Sequence, residues 1–172
     1  MDDADLERLF RTYNVPLVRY LTRRLGDRDW AEEVAQETFL RAMRQDGALT
    51  NERAWLFAVA TNLVRDEARK QERRRRHLQL LAEEERDAVA PEPMSAERAE
   101  EAAFARSALE TLGERDRNAL LMREEGLDYN EIAEALELSV GSVGTTLARA
   151  RRRLAEAYEA LTGAKRGGHA AY

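Results

Sequence analysis

The stretch from Leu127 to Leu154 constrains the chain most, because it predicts two helices joined by a turn of only three residues. Asp128 and Glu131 have the spacing of a capping box at the start of a short helix. Ser139 is a second candidate N-cap, and the residues after it predict a longer helix with apolar positions three and four apart. These apolar positions are Val140, Val143, Leu147, Ala150 and Leu154.

The opposite face of this second helix carries small polar residues and arginines. They are Ser142, Thr145, Thr146, Arg149 and Arg153. A short capped helix, a tight turn and a longer helix with a polar outer face are typical of a helix-turn-helix that reads double-stranded DNA. An ordinary helical hairpin inside a bundle has the same pattern, so the motif alone leaves both interpretations open.

The composition favours an all-α protein without catalytic machinery. The 172 residues include 3 Pro, 9 Gly and no Cys, and Ala, Leu, Glu and Arg dominate. Without Cys no disulfide or thiolate metal site can form, and the 2 His lack the spacing of metal ligands. The sequence has no Gly-rich phosphate loop, Ser/His/Asp set or two-His metal motif. We therefore expect no enzymatic activity, no metal and no cofactor.

The distribution of charge and apolar residues indicates where the protein acts. No apolar run approaches the roughly 20 residues that span a bilayer, and the acidic N-terminus is unlike a signal peptide. We therefore expect a soluble, cytoplasmic protein without membrane insertion. The formal net charge of -5 argues against tight binding of nucleic acid by the chain alone. Basic residues nevertheless cluster at 69–76 and 149–153, which predicts DNA binding that depends on a larger partner.

The first part of the chain predicts helices with one early interruption. A helix over residues 3–25 should break at Pro16, which fits the first turn of a new helix. Asp29 and Glu32 have capping-box spacing for a helix over about 30–45. The outward polar face of that helix is either a solvated surface or a docking face for a partner.

A loop and a long helix follow. Residues 45–51 predict a loop that ends in a helix cap, and the helix begins near Glu52. Its apolar side includes Trp55, and this apolar pattern stops past Ala68, where the basic run begins. A helix that continues as a basic run projects from its domain. The run at 69–76 is either a solubilising segment or a stem that contacts phosphates.

A linker divides the chain, and further helices follow it. Residues 77–97 are acidic and contain two prolines, which predicts a flexible linker. Ser95 can cap a helix to Leu112, a second helix covers about 115–124, and the helix-turn-helix completes a four-helix unit. The residues after Leu161 have no periodicity and predict a loose tail.

Three segments, in this order, closely resemble the extracytoplasmic-function (ECF) sigma factors, group IV of the sigma-70 family of bacterial RNA polymerase. They are DWAEEVAQETFLRA at 29–42, ERAWLFAVATNLVRDEARKQERRRR at 52–76 and the helix-turn-helix at 127–154. The resemblance covers nearly the whole chain, from Leu6 to about Leu161.

The resemblance implies an all-α fold of two small helical domains. Residues 1–76 resemble sigma region 2 and residues 98–161 resemble region 4, with a flexible acidic linker over 77–97 and a flexible tail over 162–172. The implied function is that of a sigma factor, which directs core RNA polymerase to specific promoters under the control of an anti-sigma factor. A stand-alone helix-turn-helix regulator acting as a dimer is one alternative, although no long apolar seam for dimerisation is evident. A purely protein-binding helical adaptor is the other, although it leaves the arginine clusters unexplained.

The resemblance also implies three functional surfaces. The surface that docks on the clamp helices of the polymerase β′ subunit comprises Glu33, Gln36, Glu37 and Arg41. The surface that captures a flipped base and binds the −10 element comprises Asp46, Gly47, Ala48, Leu49, Thr50, Asn51, Asn62, Arg65, Arg69 and Arg73. The surface that reads the −35 element comprises Ser139, Ser142, Thr145, Thr146, Arg149, Arg152 and Arg153. The melting face further includes Thr61 and Trp55, of which Trp55 fits the core better, and region 4 also binds the flap of the β subunit.

The chain departs from the family's pattern in the helix-turn-helix. The turn has Glu137 where Gly is common, and the recognition helix has Gly144 and Thr146 where Lys or Arg is common. Arg149 is the best candidate for a bidentate base contact, although a phosphate would suit it equally. We therefore expect DNA shape and backbone contacts to matter more at the recognition helix than base-edge hydrogen bonds. The stronger sequence specificity is then expected at the loop over 45–51.

Overall fold

The structure is a computed structural model that describes residues 2–78 and 95–168, without the side chains at 72, 74–78 and 164–168. The described residues form seven α-helices and no β-strand, in two compact units on either side of residues 79–94. The helices are α1 (Asp3–Leu25), α2 (Arg28–Met43), α3 (Glu52–Leu78), α4 (Ala96–Glu110), α5 (Glu114–Glu124), α6 (Tyr129–Leu136) and α7 (Val140–Gly168). The predicted all-α fold is confirmed. Most of the predicted linker over 77–97 lies outside the described residues, so the domain boundaries stay a prediction.

The first helix, α1, is continuous, so the predicted interruption at Pro16 is wrong. Proline cannot donate a backbone hydrogen bond, and its ring crowds the preceding helical turn. Packing outweighs this cost, because Leu17, Tyr20 and Leu21, which follow the proline, are completely buried. The helix ends at Gly26, whose φ of 71° is the left-handed conformation that glycine adopts without strain.

The start of α2 differs from the prediction, because its cap is Asp27 rather than Asp29. The Asp27 carboxylate accepts a hydrogen bond from the backbone N–H of Trp30 at 3.0 Å. Asp29 lies in the first turn instead, where its negative charge is favourable at the positive end of the helix dipole. The end of α1 at Gly26 leaves Asp27 in extended backbone, which is the conformation of an N-cap.

The core of the first unit contains a polar pair that links α1 to α3. The rings of Tyr20 and Phe57 pack with their centroids 5.1 Å apart. The Tyr20 hydroxyl bonds to Thr61 Oγ1 at 2.7 Å, and Thr61 donates in turn to the Phe57 carbonyl at 2.6 Å. Thr61 is therefore buried, and its expected place on a DNA-binding face is wrong. Trp55 is partly buried, as its apolar pattern indicated.

The second unit is built around α7, which packs against α4, α5 and α6. Leu112, Leu120 and Ala150 form a buried cluster, against which Leu109 and Leu154 are packed. Burying a leucine side chain stabilises a fold by about 1.5–3 kcal/mol, so this cluster fixes the middle of α7. The N-terminal turns of α7 are thereby held beside α6.

The last helix is longer than the sequence predicted. Residues 162–168, expected in a loose tail, continue α7, and the Thr162 hydroxyl donates to the Tyr158 carbonyl at 2.8 Å. A single glycine inside a helix costs only about 1 kcal/mol relative to alanine, so Gly163 does not end it. The remaining tail residues, 169–172, lie outside the described residues.

Candidate nucleic-acid and partner surfaces

The predicted helix-turn-helix is present in the second unit as α6, a three-residue turn and α7. Its capping box is confirmed, because the side chains of Asp128 and Glu131 each accept the other's backbone N–H at 2.8 Å. The turn begins at Glu137, whose φ of 55° and ψ of 44° are left-handed. Among the described residues this is the one positive φ at a non-glycine residue, so the turn is made at some cost in backbone strain.

The outward side of α7 differs from the predicted one at two residues. Thr146 is only 4% exposed, whereas Val140, assigned to the apolar stripe, is 49% exposed. Thr146 lies three residues after Val143 and four before Ala150, so helical geometry places it beside two core positions. Val140 is the first residue of the helix and lies three residues before Val143, the first buried residue of α7. These placements correct the prediction that Thr146 faces outward and Val140 inward.

Exposed positions of α7 recur at helical spacing from its N-terminus. They are Val140, Gly141, Thr145, Ala148 and Arg152, and we call them the outer row. The sequence reasoning identified Thr145 and Arg152 but missed the other three, because small and apolar side chains carry no sign of an outward face. Their spacing relative to the buried residues Val143 and Leu147 was the signal that could have found them.

The hydroxyl groups at the start of α7 are bonded within the helix. Ser142 Oγ donates to the Ser139 carbonyl at 2.9 Å and is also paired with the Ser139 hydroxyl. Thr145 Oγ1 donates to the Ser142 carbonyl at 3.0 Å. Each hydroxyl has a single proton, so these local bonds leave the three side chains mainly as acceptors.

Arg149, the best predicted candidate for a base contact, is held by Asp116 of α5. Its Nε and Nη2 donate to the two carboxylate oxygens at 2.9 and 2.5 Å, which makes a bidentate pair. Arg153, one turn further along α7, donates to the same carboxylate at 3.3 Å. The hydrogen bonds from Arg149 hold the pKa of Asp116 below its ordinary value, although burial acts in the opposite direction. This arrangement, the Asp116 fork, ties α7 to α5.

Arg152 lies on the outer row and is not part of the Asp116 fork. Its side chain is 69% exposed and lies 4.0 Å from Glu156 on the next turn. An exposed pair of this kind contributes little to stability, so Arg152 can turn to a phosphate at small cost. No sequence pattern links Asp116 with Arg149, because the two lie on different helices.

The loop between α2 and α3 carries the first part of the predicted −10 surface. Asp46, Gly47, Ala48 and Thr50 are exposed, and Leu49 is partly buried. Gly47 has a φ of 88°, a conformation that other residues rarely adopt, so the bend of the loop depends on it.

Asn51 closes this loop as the cap of α3, as the sequence predicted. Its Oδ1 accepts a hydrogen bond from the backbone N–H of Ala54 at 3.2 Å. This bond gives Asn51 a structural role, because it satisfies one of the free N–H groups at the start of the helix.

The predicted contacts on α3 lie in one row along the helix. Asn62, Arg69 and Arg73 are exposed, and Arg65 donates to Asn62 Oδ1 at 3.4 Å. At 1.5 Å per residue, the row is roughly 17 Å long and begins about 15 Å from the start of α3. The structure therefore brings these four side chains together but leaves the loop at 45–51 at a distance from them.

The predicted docking face on α2 is outward and contains apolar residues that the sequence reasoning missed. Glu33, Gln36 and Arg41 are exposed, and Glu37 is partly exposed and paired with Arg41 at 3.0 Å. Leu40 and Met43 are also exposed on this helix. Leu40 follows Gln36 and Glu37 by four and three residues, a spacing that could have revealed it.

Comparison with known proteins identifies the family of this chain. Residues 9–74 match the family described as sigma-70 region 2, and residues 105–154 match that described as sigma-70, region 4. The RNA polymerase sigma-H factor of Pseudomonas aeruginosa is 30% identical over 93% of this chain and 89% of its own. An ECF RNA polymerase sigma-E factor of Haemophilus influenzae is 30% identical over 84% of this chain and 86% of its own. The chain belongs to the sigma-70 family.

Membership of this family confirms the predicted function as an RNA polymerase sigma factor and the resemblance to the ECF group. The fold is similar to that of the sigma factor RpoE in its co-crystal structure with the anti-sigma factor NepR from Bartonella quintana. The TM-score is 0.72, over 90% of this chain and 97% of that chain, at 21% sequence identity. In the part of this sigma factor that the structure describes, no helix is long and apolar enough to cross a membrane.

Proposed function

We propose that this sigma factor directs core RNA polymerase to promoters by placing α7 in the −35 major groove and the α2–α3 surface on the −10 element. The observation that carries the proposal is the orientation of α7. Its N-terminal turns present the outer row, while its opposite side is buried against the rest of the second unit. A recognition helix contacts base edges with its N-terminal residues, so α7 can enter the groove without rearranging its core.

At the −10 element, the loop at 45–51 holds a base that has left the stack of the non-template strand. Unstacking a base costs a few kcal/mol, and an exposed loop with a bend at Gly47 offers backbone groups and space to receive it. The row from Asn62 to Arg73 then binds the displaced strand through amide and guanidinium groups. Its length of roughly 17 Å corresponds to about five steps of 3.4 Å along one strand.

Core RNA polymerase docks on α2 through its β′ clamp helices. Leu40 and Met43 supply exposed apolar surface, and Glu37 and Arg41 supply charges beside it, as in many protein interfaces. The second unit contacts the flap of the β subunit. These contacts explain how a chain with a net charge of -5 reaches DNA, because the polymerase then supplies most of the affinity.

An anti-sigma factor controls this chain by covering the surfaces that bind polymerase. This inference is supported by the fold shared with RpoE, which is held by the anti-sigma factor NepR in its co-crystal structure. The protein acts in the cytoplasm, together with the polymerase, and has no catalytic activity of its own. Among the described residues, no group of three or more His, Asp or Glu side chains is arranged to hold a metal ion.

Transcription in a purified system tests the proposal as a whole. Core RNA polymerase is mixed with the full chain and a promoter library, and we expect transcripts that start at defined sites only when the chain is present. Binding of a palindromic duplex by a dimer without polymerase would instead support a stand-alone regulator. Capture of polymerase without promoter-specific transcripts would support a protein-binding adaptor.

Two variants on α3 test the assignment of the −10 surface. We expect Asn62→Ala and Arg69→Ala to weaken transcription from duplex promoters. Transcription should recover in part on promoters with a preformed bubble, because the melting step is then bypassed while the lost contacts with the displaced strand still weaken binding. Arg11→Ala on α1 removes an exposed arginine from the same unit and should have no effect on either template. Equal losses on duplex and bubble templates would contradict a role of α3 in melting.

A further inference from the structure

Two large apolar side chains are exposed in the described part of the second unit, one at the first residue of α7 and one at the first residue of α6. Val140 is 49% exposed and Tyr129 is 42% exposed. Gly144 lies between them: it follows Val140 by one turn, and a Cβ atom on it would lie 3.6 Å from the Tyr129 ring. The start of the recognition helix therefore presents the apolar side chain of Val140, while the guanidinium of Arg123 lies 5.7 Å from the centroid of the nearby Tyr129 ring.

The polar side chains on the first turns of α7 have few hydrogen-bond donors left for DNA. The hydroxyl protons of Ser139, Ser142 and Thr145 are used inside the helix. Arg149 is held in the Asp116 fork. Arg152 follows Val140 by twelve residues, which is about 18 Å along the helix. The side chains of the first two turns therefore meet base edges with methyl groups and hydrogen-bond acceptors.

Thymine is the base whose major-groove edge matches an apolar side chain, because it presents its 5-methyl group there. We propose that Val140 determines part of the −35 specificity by packing on the methyl group of one thymine. This inference rests on the proposed function, since it requires α7 to enter the −35 major groove. It identifies a specificity residue at a position that was expected to lie in the core.

Single replacements of thymine by uracil test this contact, because uracil lacks only the methyl group. Holoenzyme reconstituted with the full chain first selects its −35 sequence from a duplex library. Binding is then measured with each thymine of that element replaced by uracil in turn. We expect one replacement to weaken binding about fourfold, the effect of removing one buried methyl group from the interface.

Val140→Ala completes a double-mutant cycle with the sensitive position. We expect this variant to bind the thymine and uracil promoters equally, because the methyl group has lost its partner. Val15→Ala removes a valine from α1 that is also exposed, at 64%, and should keep the fourfold preference. Circular dichroism verifies that both variants keep the helical content of the parent chain.

Two results would overturn the inference. One is uracil tolerated at every thymine of the −35 element, and the other is a thymine preference that survives in Val140→Ala. Failure of the proposed function is a different result: the holoenzyme would then show no preference for any −35 sequence.

Discussion

Replacing Asp116 with Asn tests how the recognition helix is held in place. The Asp116 side chain is 5% exposed and accepts two hydrogen bonds from Arg149 and one from Arg153. Asn has the same size and keeps one acceptor oxygen. Its NH2 group, however, faces guanidinium N–H groups that need an acceptor, and the negative charge is lost. We therefore expect the second unit to be destabilised and the first to be unaffected.

The expected loss of stability depends on how exposed the two arginine side chains are. Deleting a hydrogen bond to a charged group costs about 1.5–3 kcal/mol, whereas an exposed ion pair contributes about 0–1 kcal/mol. The carboxylate is buried, but the side chains of Arg149 and Arg153 are 39% and 54% exposed, so water replaces part of the interaction. We expect the free energy of unfolding of the second unit to fall by about 2 kcal/mol. For a domain of this size, the Tm then falls by about 10 °C.

Two probes separate the units in the assay. Both tryptophans, Trp30 and Trp55, lie in the first unit, so their fluorescence reports its unfolding alone. Scanning calorimetry detects both units. Asp116→Asn should lower the midpoint temperature of one calorimetric transition and leave the midpoint of the fluorescence transition unchanged. Glu124→Gln makes the same change of charge at an exposed site on α5 and should leave both transitions unchanged.

The pH dependence provides an independent test of the same reasoning. The hydrogen bonds from Arg149 lower the folded-state pKa of Asp116 below its ordinary value of 3.8. The carboxylate therefore contributes its full stability above that value, and the contribution disappears as the pH falls through the lower, folded-state pKa. The difference in Tm between the parent chain and Asp116→Asn should be constant near neutral pH and shrink below 3.8. Equal Tm values at neutral pH, or a difference that persists unchanged in strong acid, would refute the role of the Asp116 fork.

Three further changes have outcomes that the structure defines. Gly144→Ala should stabilise the second unit by about 1 kcal/mol in thermal unfolding, because alanine favours a helix and its Cβ would meet its nearest neighbour at an ordinary 3.6 Å. A lower Tm would mean that the backbone at this position needs glycine. Arg152→Ala should make promoter binding by holoenzyme less dependent on salt, because one phosphate contact is lost. The slope of log binding constant against log salt concentration should become shallower by about 0.9. An unchanged slope would exclude that contact. Tyr20→Phe should destabilise the first unit by about 1 kcal/mol in a fluorescence-monitored melt, because Thr61 loses its hydroxyl partner. An unchanged midpoint would show that the bond contributes nothing to stability.

The elements that the sequence predicted well are those set by local interactions. The capping box of Asp128 and Glu131, the cap at Asn51 and the helical spacing of the buried residues 143, 147 and 150 all act within one or two helical turns. Their residue types therefore carry the signal directly. Pro16 shows the limit of such local rules, because buried residues on the following turn keep the helix continuous.

The candidate site was harder to predict, because polarity is an unreliable guide to the outward face. Thr61 and Thr146 are polar but buried, and Thr61 bonds to the Tyr20 hydroxyl and to the Phe57 carbonyl. Val140 is apolar but exposed, because it is the first residue of α7 and the buried side of the helix begins at Val143. Asp116 lies 33 residues before Arg149, so only the packing of α5 on α7 brings them together.

The Asp116 fork also bears on how affinity and specificity are divided in this sigma factor. Two arginines that could neutralise phosphates are held by a carboxylate, which leaves Arg152 as the most accessible arginine of the predicted −35 set. Few neutralised phosphates mean weak binding of the second unit to DNA and little retention at incorrect sites. Polymerase docking on α2 raises the effective concentration of promoter DNA at both units. A preference in binding of about fourfold at one thymine is then multiplied by the preferences at the −10 element, so the discrimination between promoters increases. Weak contacts on α7 are therefore compatible with accurate promoter choice, provided that both elements are read in the same complex.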